Sequence, residues 1–197
     1  MTHINNSQLS NDSGTTNDDN NDLFGMEFLY NTVASGINNT AKHDGSITAI
    51  KWKVNNSSNP IPGAISRERS YSFSYDKMGR MENAYFKAFN SSTSLWNLEV
   101  GAYDEKNISY DHNGNIKTLQ RYQMNHSGTL EKIDDLTYTY ASGNQLSKVE
   151  DLGTTFGFYN HVNTTTEYLY DDNGNLIKDD NKQINSISYN DLGKTSQ

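Results

Sequence analysis

The side chains best suited to chemistry in this chain are its acids, which come in adjacent pairs such as Asp134-Asp135 and Asp171-Asp172. Two carboxyls can share the acid and base roles of glycoside hydrolysis when they flank one bond across a cleft. Here they stand side by side in turn-like stretches with nothing marking a cleft, so they read as solvated turn residues. Metal chemistry fares no better: His3, His43, His112, His126 and His161 are scattered without the spacing of a ligand set. "DHNGN", Asp111 to Asn115, resembles a calcium loop. An EF-hand needs Asp-x-[Asp/Asn]-x-[Asp/Asn]-Gly, however, and here Gly114 directly follows Asn113. "GKT", Gly193 to Thr195, has the ending of a phosphate-binding loop, but Ser188 stands where the motif needs its first glycine. No Gly-x-Ser-x-Gly elbow occurs, and the absence of cysteine excludes thiol catalysis and disulfide scaffolding. The sequence thus predicts no catalytic residue, no cofactor and no metal site; it does not read as an enzyme.

What does recur is a turn. "YDDNGNLIKDD", Tyr170 to Asp180, places Asn173-Gly174 between alternating arms, which predicts a two-residue type I′ hairpin turn with positive φ at both positions. "ISYDHNGNIKTLQR" repeats the shape with Tyr110, Asp111, Gly114 and Asn115, and "YSFSYDKMGRMENA" with Tyr75, Asp76, Gly79 and Arg80. "LTYTYASGNQLSKVED" is one position shorter, with Tyr140 before Gly143-Asn144, and "ISYNDLGKTSQ" starts a further copy at Tyr189. The motif residues Tyr170, Asp171, Gly174 and Asn175 complete the set. Spacing of this kind, roughly 20–50 residues, marks a repeat architecture in which each unit buries its face against its neighbours. The tyrosines are expected to supply the buried face and the aspartates the turn hydrogen bonds. Arg80, Arg121, Lys117 and Lys178 follow their turns and are expected to pair with turn aspartates between repeats.

Composition agrees with a thin sheet. Only 33% of residues are hydrophobic and mean hydropathy is −0.86, which argues against a thick core. Yet there are 13 tyrosines, whose rings can be buried while their hydroxyls stay hydrogen-bonded. With only 2 prolines, strands can be continuous ladder members. A net charge of −8 argues against nucleic-acid or anionic-membrane partners, and no apolar run is long enough for a membrane span. "MTHINNSQLS" lacks the basic start and apolar stretch of a signal peptide.

Residues 1–22 are polar enough to be expected as a disordered tail or linker. Residues 23–197 form the repeat region, with units near 45–65, 69–100, 106–133, 134–163 and 165–183. A last unit, 185–197, is expected to be truncated before its second arm could pair, as in a fragment. "LFGMEFLYN" reads as a strand or loop against the first sheet. "GSITAIKWK" reads as a strand with Ile50 and Trp52 on one face, and "NNSSNPIPGAISRE" as a loop. The fold class is all-β: stacked antiparallel hairpins sharing ladders, their outer edges an aggregation hazard unless capped.

With "YDKMGRM", "YDHNGNIKTLQR" and "YDDNGNLIKDD" in view, the chain resembles the RHS/YD-repeat family, over about residues 23–197. "LFGMEFLYN", "GSITAIKWK" and "IDDLTYTYASGNQLSKVED" are similar to stretches between YD units in the versions made by Bacteroidetes-type bacteria. The resemblance implies hairpins winding into part of a curved, hollow β-shell. In bacteria such a shell commonly encloses a C-terminal toxin domain exported against competitors, and that domain is not in this chain. Its partners would be neighbouring YD repeats and the enclosed toxin, and its location secreted or at the cell surface within a larger protein. Animal teneurins use a similar shell in adhesion, so the alternative implied is a surface module that binds carbohydrate.

Overall fold

The computed structural model describes residues 2–5, 22–55 and 67–196. Ten strands form one open antiparallel sheet: β1 (His3–Ile4), β2 (Phe24–Leu29), β3 (Ala49–Val54), β4 (Arg69–Tyr75), β5 (Met81–Asn90), β6 (Leu95–Leu98), β7 (Glu105–Tyr110), β8 (Ile116–Met124), β9 (Leu130–Tyr140) and β10 (Leu146–Asp151). They lie in sequence order, except that β7 pairs with β5 and β6 pairs with β5 off the main path. Two further hairpins follow, β11 (Tyr168–Tyr170) with β12 (Leu176–Asp179), and β13 (Ser188–Tyr189) with β14 (Thr195–Ser196). No α-helix occurs among the described residues. The chain is all-β, and its sheet does not close.

The alternation of side chains across the pleat sends successive residues to opposite faces, so register fixes what each face carries. Leu29 pairs with Ala49 and Ala49 with Ser72, and these residues share a face with Lys51 and Ser70. The opposite face holds the row Phe73, Ala84, Glu105, Arg121 and Asp134, each directly across from the next. Two small cores therefore form on opposite sides. Leu29, Ile37 and Ala49, with Ala34 and Trp96, make the first. Leu136, Val149 and Tyr168, with Leu119, Tyr138 and Phe158 among their neighbours, make the second. In each case an irregular connector, residues 30–47 or 152–166, lays its apolar side chains on the sheet.

Several expectations change. The turns at Asp76, Asp111 and Asp171 are not type I′. Only their glycines, Gly79, Gly114 and Gly174, have positive φ (79°, 90° and 83°), while Asn113 and Asn173 do not. With the aspartate N–H bonded to the carbonyl four residues on and the glycine N–H to the aspartate carbonyl, each is a three-residue hairpin loop, a type I turn closed by a left-handed glycine bulge. The strand after each turn then carries one extra residue, Glu82, Lys117 or Ile177, where the register shifts. Of the expected tail, residues 1 and 6–21 lie outside the described residues, but His3 and Ile4 pair with Glu27 and Met26 as an edge strand. The interior of the expected loop after Asn55, residues 56–66, also lies outside them. "LFGMEFL" is a full sheet member, β2, paired on both sides.

The expected unit boundary at 133/134 falls inside β9, because a further hairpin turn at Asn125 to Thr129 joins β8 to β9. The last unit does have a second arm, since Ser188 pairs with Ser196 and Tyr189 with Thr195. The final two hairpins do not extend the common ladder. β11–β12 joins it through one backbone bond, from the Glu167 N–H to Ser147 (2.8 Å), and β13–β14 joins β12 in turn through the Ile187 N–H to Ile177 (2.8 Å).

Candidate functional site

The repeated motif builds one local device several times. In the first copy the Asp76 N–H donates to the Arg80 carbonyl (2.8 Å) and the Gly79 N–H to the Asp76 carbonyl (3.1 Å). The Asp76 carboxylate then accepts the N–H groups of Met78 and Arg80 (2.9 Å each) and the Arg80 guanidinium (2.7 Å). Asp111 does the same for the Asn113 and Asn115 amides and the Asn115 side chain, and Asp171 for Asn173 and Asn175. Glycine is required at the fourth position because a left-handed residue closes the loop. Donors converging on each carboxylate hold its pKa below the ordinary value. The Arg80 backbone N–H is the largest influence on Asp76, and the Asn115 and Asn175 side chains on Asp111 and Asp171. With its oxygens used in this way, Asp111 is a turn clasp and no calcium ligand. The Tyr140 turn lacks an aspartate: Ala141 N–H bonds Gln145 (2.7 Å), and Gly143 and Asn144 are both left-handed.

Each anchor tyrosine reaches back to the preceding unit. Tyr110 Oη donates to the Met81 carbonyl (2.7 Å), Tyr140 to Ile116 (2.8 Å), Tyr170 to Leu146 (3.1 Å) and Tyr189 to Leu176 (2.8 Å). The acceptor is in every case the first strand residue after the preceding turn, and Tyr75 makes the corresponding bond to Ile47 (2.5 Å). Burial raises the hydroxyl pKa of Tyr75, Tyr110, Tyr140 and Tyr170. Side chains also link neighbouring turns. The Arg80 guanidinium stacks 4.5 Å over the Tyr110 ring and donates to the Asp111 carbonyl, and Asn113 and Asn115 both donate to Asn144 Oδ1.

Arg121 and Lys178, expected at turn aspartates, pair instead with Asp134 (2.5 Å) and Asp180 (2.8 Å). The motif residues before and after the turns are thus brought together as a ladder along one end of the sheet. Asn125 repeats the backbone part of the clasp at the other end, accepting from the Ser127 and Thr129 N–H groups, without the anchor tyrosine or the side-chain donor after the glycine.

Sequence reading missed the buried acids. Asp134 is not a solvated turn residue. It lies fully buried in β9, where it accepts from Arg121 and from the Phe158 N–H, while Asp135 pairs with Lys132. Asp104 accepts the Phe86 N–H (2.7 Å), and Glu167 the Val149 N–H (3.0 Å). Each takes up a strand amide that the irregular pairing leaves without a ladder partner. Nothing in a short polar stretch such as "IDDL" reveals this, because its register relative to Arg121 is long-range.

Over β3 to β5 the same face carries an aromatic row. Trp52 stacks on Tyr71 (5.7 Å), Tyr71 on Phe73 (6.1 Å), and Phe86 meets Tyr103 edge-on (4.9 Å), with Tyr103 about half exposed. No group of three or more His, Cys, Asp or Glu able to hold a metal ion occurs among the described residues. None of their helices is long and apolar enough to cross a membrane. No family model matches the chain, and no curated protein matches it. The arrangement is a mechanical one: clasps, staples and buried acids that hold hairpin to hairpin.

Proposed function

We infer that the chain is a structural wall: a YD/RHS-repeat segment of a large secreted or surface-delivered bacterial toxin-type protein. It contributes strands to a β-shell around a C-terminal toxin domain, and it performs no chemistry itself. The observation that carries this reading is the run of tyrosine staples, in which Tyr110, Tyr140, Tyr170 and Tyr189 each bond the unit before. A staple of fixed geometry can be repeated without limit, which suits a long wound wall and has no use in a catalytic cleft. Electron cryo-microscopy of the natural polypeptide that contains this chain tests the reading. These hairpins are expected as contiguous strands of a closed wall around a separately folded domain, and a free-standing open sheet would overturn it.

The half-buried Trp52–Tyr71 stack beside exposed Tyr103 supports a second reading, a carbohydrate-binding adhesion module. Stacking of sugars on that face predicts glycan-array binding that is lost in Tyr103→Ala, and an unchanged array in that variant would count against it.

A further inference from the structure

The chain has two Asn-Gly pairs, Asn113-Gly114 and Asn173-Gly174, and each sits exposed at the tip of a clasped turn. Asparagine followed by glycine is prone to spontaneous deamidation, because glycine has no Cβ to block the approach of its backbone nitrogen. That nitrogen attacks the asparagine Cγ, a C–N bond forms, and the side-chain nitrogen leaves as ammonia, taking the glycine amide proton with it. Water then opens the cyclic imide at either carbonyl, giving aspartate or isoaspartate. By sequence the two sites are equivalent.

By structure they are not. Their backbones match: the Asn113 and Asn173 N–H groups donate to the Asp111 and Asp171 carboxylates (2.9 and 3.0 Å). The Gly114 and Gly174 N–H groups donate to the carbonyls of the same aspartates (3.2 and 3.0 Å). Ring closure needs the glycine nitrogen turned toward Cγ, which breaks this last bond, so the reaction proceeds from an opened turn. The side chains differ. Asn113 Nδ2 donates to Asn144 Oδ1 (2.9 Å) in the neighbouring turn, an acceptor that Asn115 also holds (3.0 Å), so the Asn113 side chain is tied down. The Asn173 side chain makes no hydrogen bond among the described residues and can swing over Gly174. The hairpins differ in the same direction. The Asn113 turn joins β7 to β8, both members of the common sheet, whereas the Asn173 turn joins β11 to β12, outside it.

We propose that Asn173 is a site of spontaneous modification, converted through a succinimide to aspartate and isoaspartate, and that Asn144 protects Asn113 from the same reaction. The imide has no Gly174 N–H to give to Asp171, and isoaspartate carries the main chain through Cβ and so lengthens the loop. Neither fits the clasp, in which the Asp171 N–H meets the Asn175 carbonyl at 2.9 Å, so the change unfastens the β11–β12 hairpin. The site stands whether or not the chain is part of a shell.

The test ages the whole chain in mildly alkaline buffer, folded and, separately, unfolded in concentrated urea. Mass spectrometry of its peptides follows both asparagines, and isoaspartate methyltransferase marks the rearranged product. In the folded chain Asn173 is expected to lose ammonia at least about tenfold faster than Asn113, and in urea the two rates are expected to converge. Asn144→Gly keeps a left-handed turn residue but removes the acceptor, and it should speed Asn113 by about two- to tenfold, the hold of one hydrogen bond. Should that variant fail to fold, the folded and urea rates of the unaltered protein decide alone. Equal rates in the fold, faster loss at Asn113, the same preference in urea, or an Asn113 rate unmoved in folded Asn144→Gly would each overturn the proposal.

Discussion

At the scale of single residues, the hydroxyl of each anchor tyrosine does work that its ring cannot. Tyr110→Phe keeps the ring under Arg80 but deletes the bond to the Met81 carbonyl, and it should lower stability by about 0.5–1.5 kcal/mol. Tyr85→Phe is the control, since that partly exposed hydroxyl has no partner among the described residues and should change little. Chemical denaturation of the two variants checks the difference. The staples also predict alkaline sensitivity. The hydroxyls of Tyr75, Tyr110, Tyr140 and Tyr170 have raised pKa values in the fold, mainly through burial, against about 10 in an unfolded chain. Their contribution is therefore complete below pH of about 10 and is lost as pH rises through the folded values. Ultraviolet titration of phenolate should show these tyrosines ionising late, together with unfolding, and early, fold-independent ionisation would refute it. Gly157 makes a different demand. A Cβ there would overlap the Asp134 carboxylate and the Ile133 carbonyl, so Gly157→Ala should cost about 1–3 kcal/mol by the same denaturation measurement.

At the scale of elements, stability should follow how each hairpin is held. β8 and β9 are paired on both sides inside the common sheet, whereas β13–β14 joins its neighbour by the Ile187 N–H and the Tyr189 hydroxyl. Amide hydrogen exchange should be slowest in β8 and β9 and fastest in β13–β14, with β11–β12 between, and the reverse ranking would refute the account. The elements that sequence could show are those whose signal is local. Tyr71, Phe73 and Tyr75 alternate with serines, and glycine falls at a fixed distance after Asp76, Asp111 and Asp171, so strand and turn were both legible. The turn at Asn125 carries the same glycine spacing, and attention to Asx-x-x-Gly without the tyrosine would have found it and the start of β9. The type of turn was missed because Asn-Gly pairs favour two-residue loops on their own, while here the aspartate two residues earlier clasps a longer one. What stayed illegible was register. Nothing near Asp134 or Glu167 in sequence indicates that each lies under an amide from elsewhere in the chain, at Phe158 and Val149.

At the scale of the whole molecule, the two cores lie on opposite faces of the sheet and share no residue, so nothing obliges them to melt together. The first contains Trp96 and its strands carry Trp52, and these are the chain's only tryptophans. Fluorescence therefore reports the amino-terminal part, while far-ultraviolet circular dichroism reports every strand. If neighbour contacts dominate, as in stacked repeats, denaturant curves followed by the two probes should not coincide. Val149→Ala should sharpen the contrast. Val149 is buried in the second core, so its truncation should cost about 1–3 kcal/mol, shift the dichroism curve and leave the tryptophan midpoint almost unmoved. Coincident curves that shift together in the variant would mean that the ladder from β4 to β10 transmits stability across the whole sheet. In that case the row Phe73, Ala84, Glu105, Arg121 and Asp134, which crosses five strands between the cores, is the connection to break next, with Arg121→Met removing its ion pair.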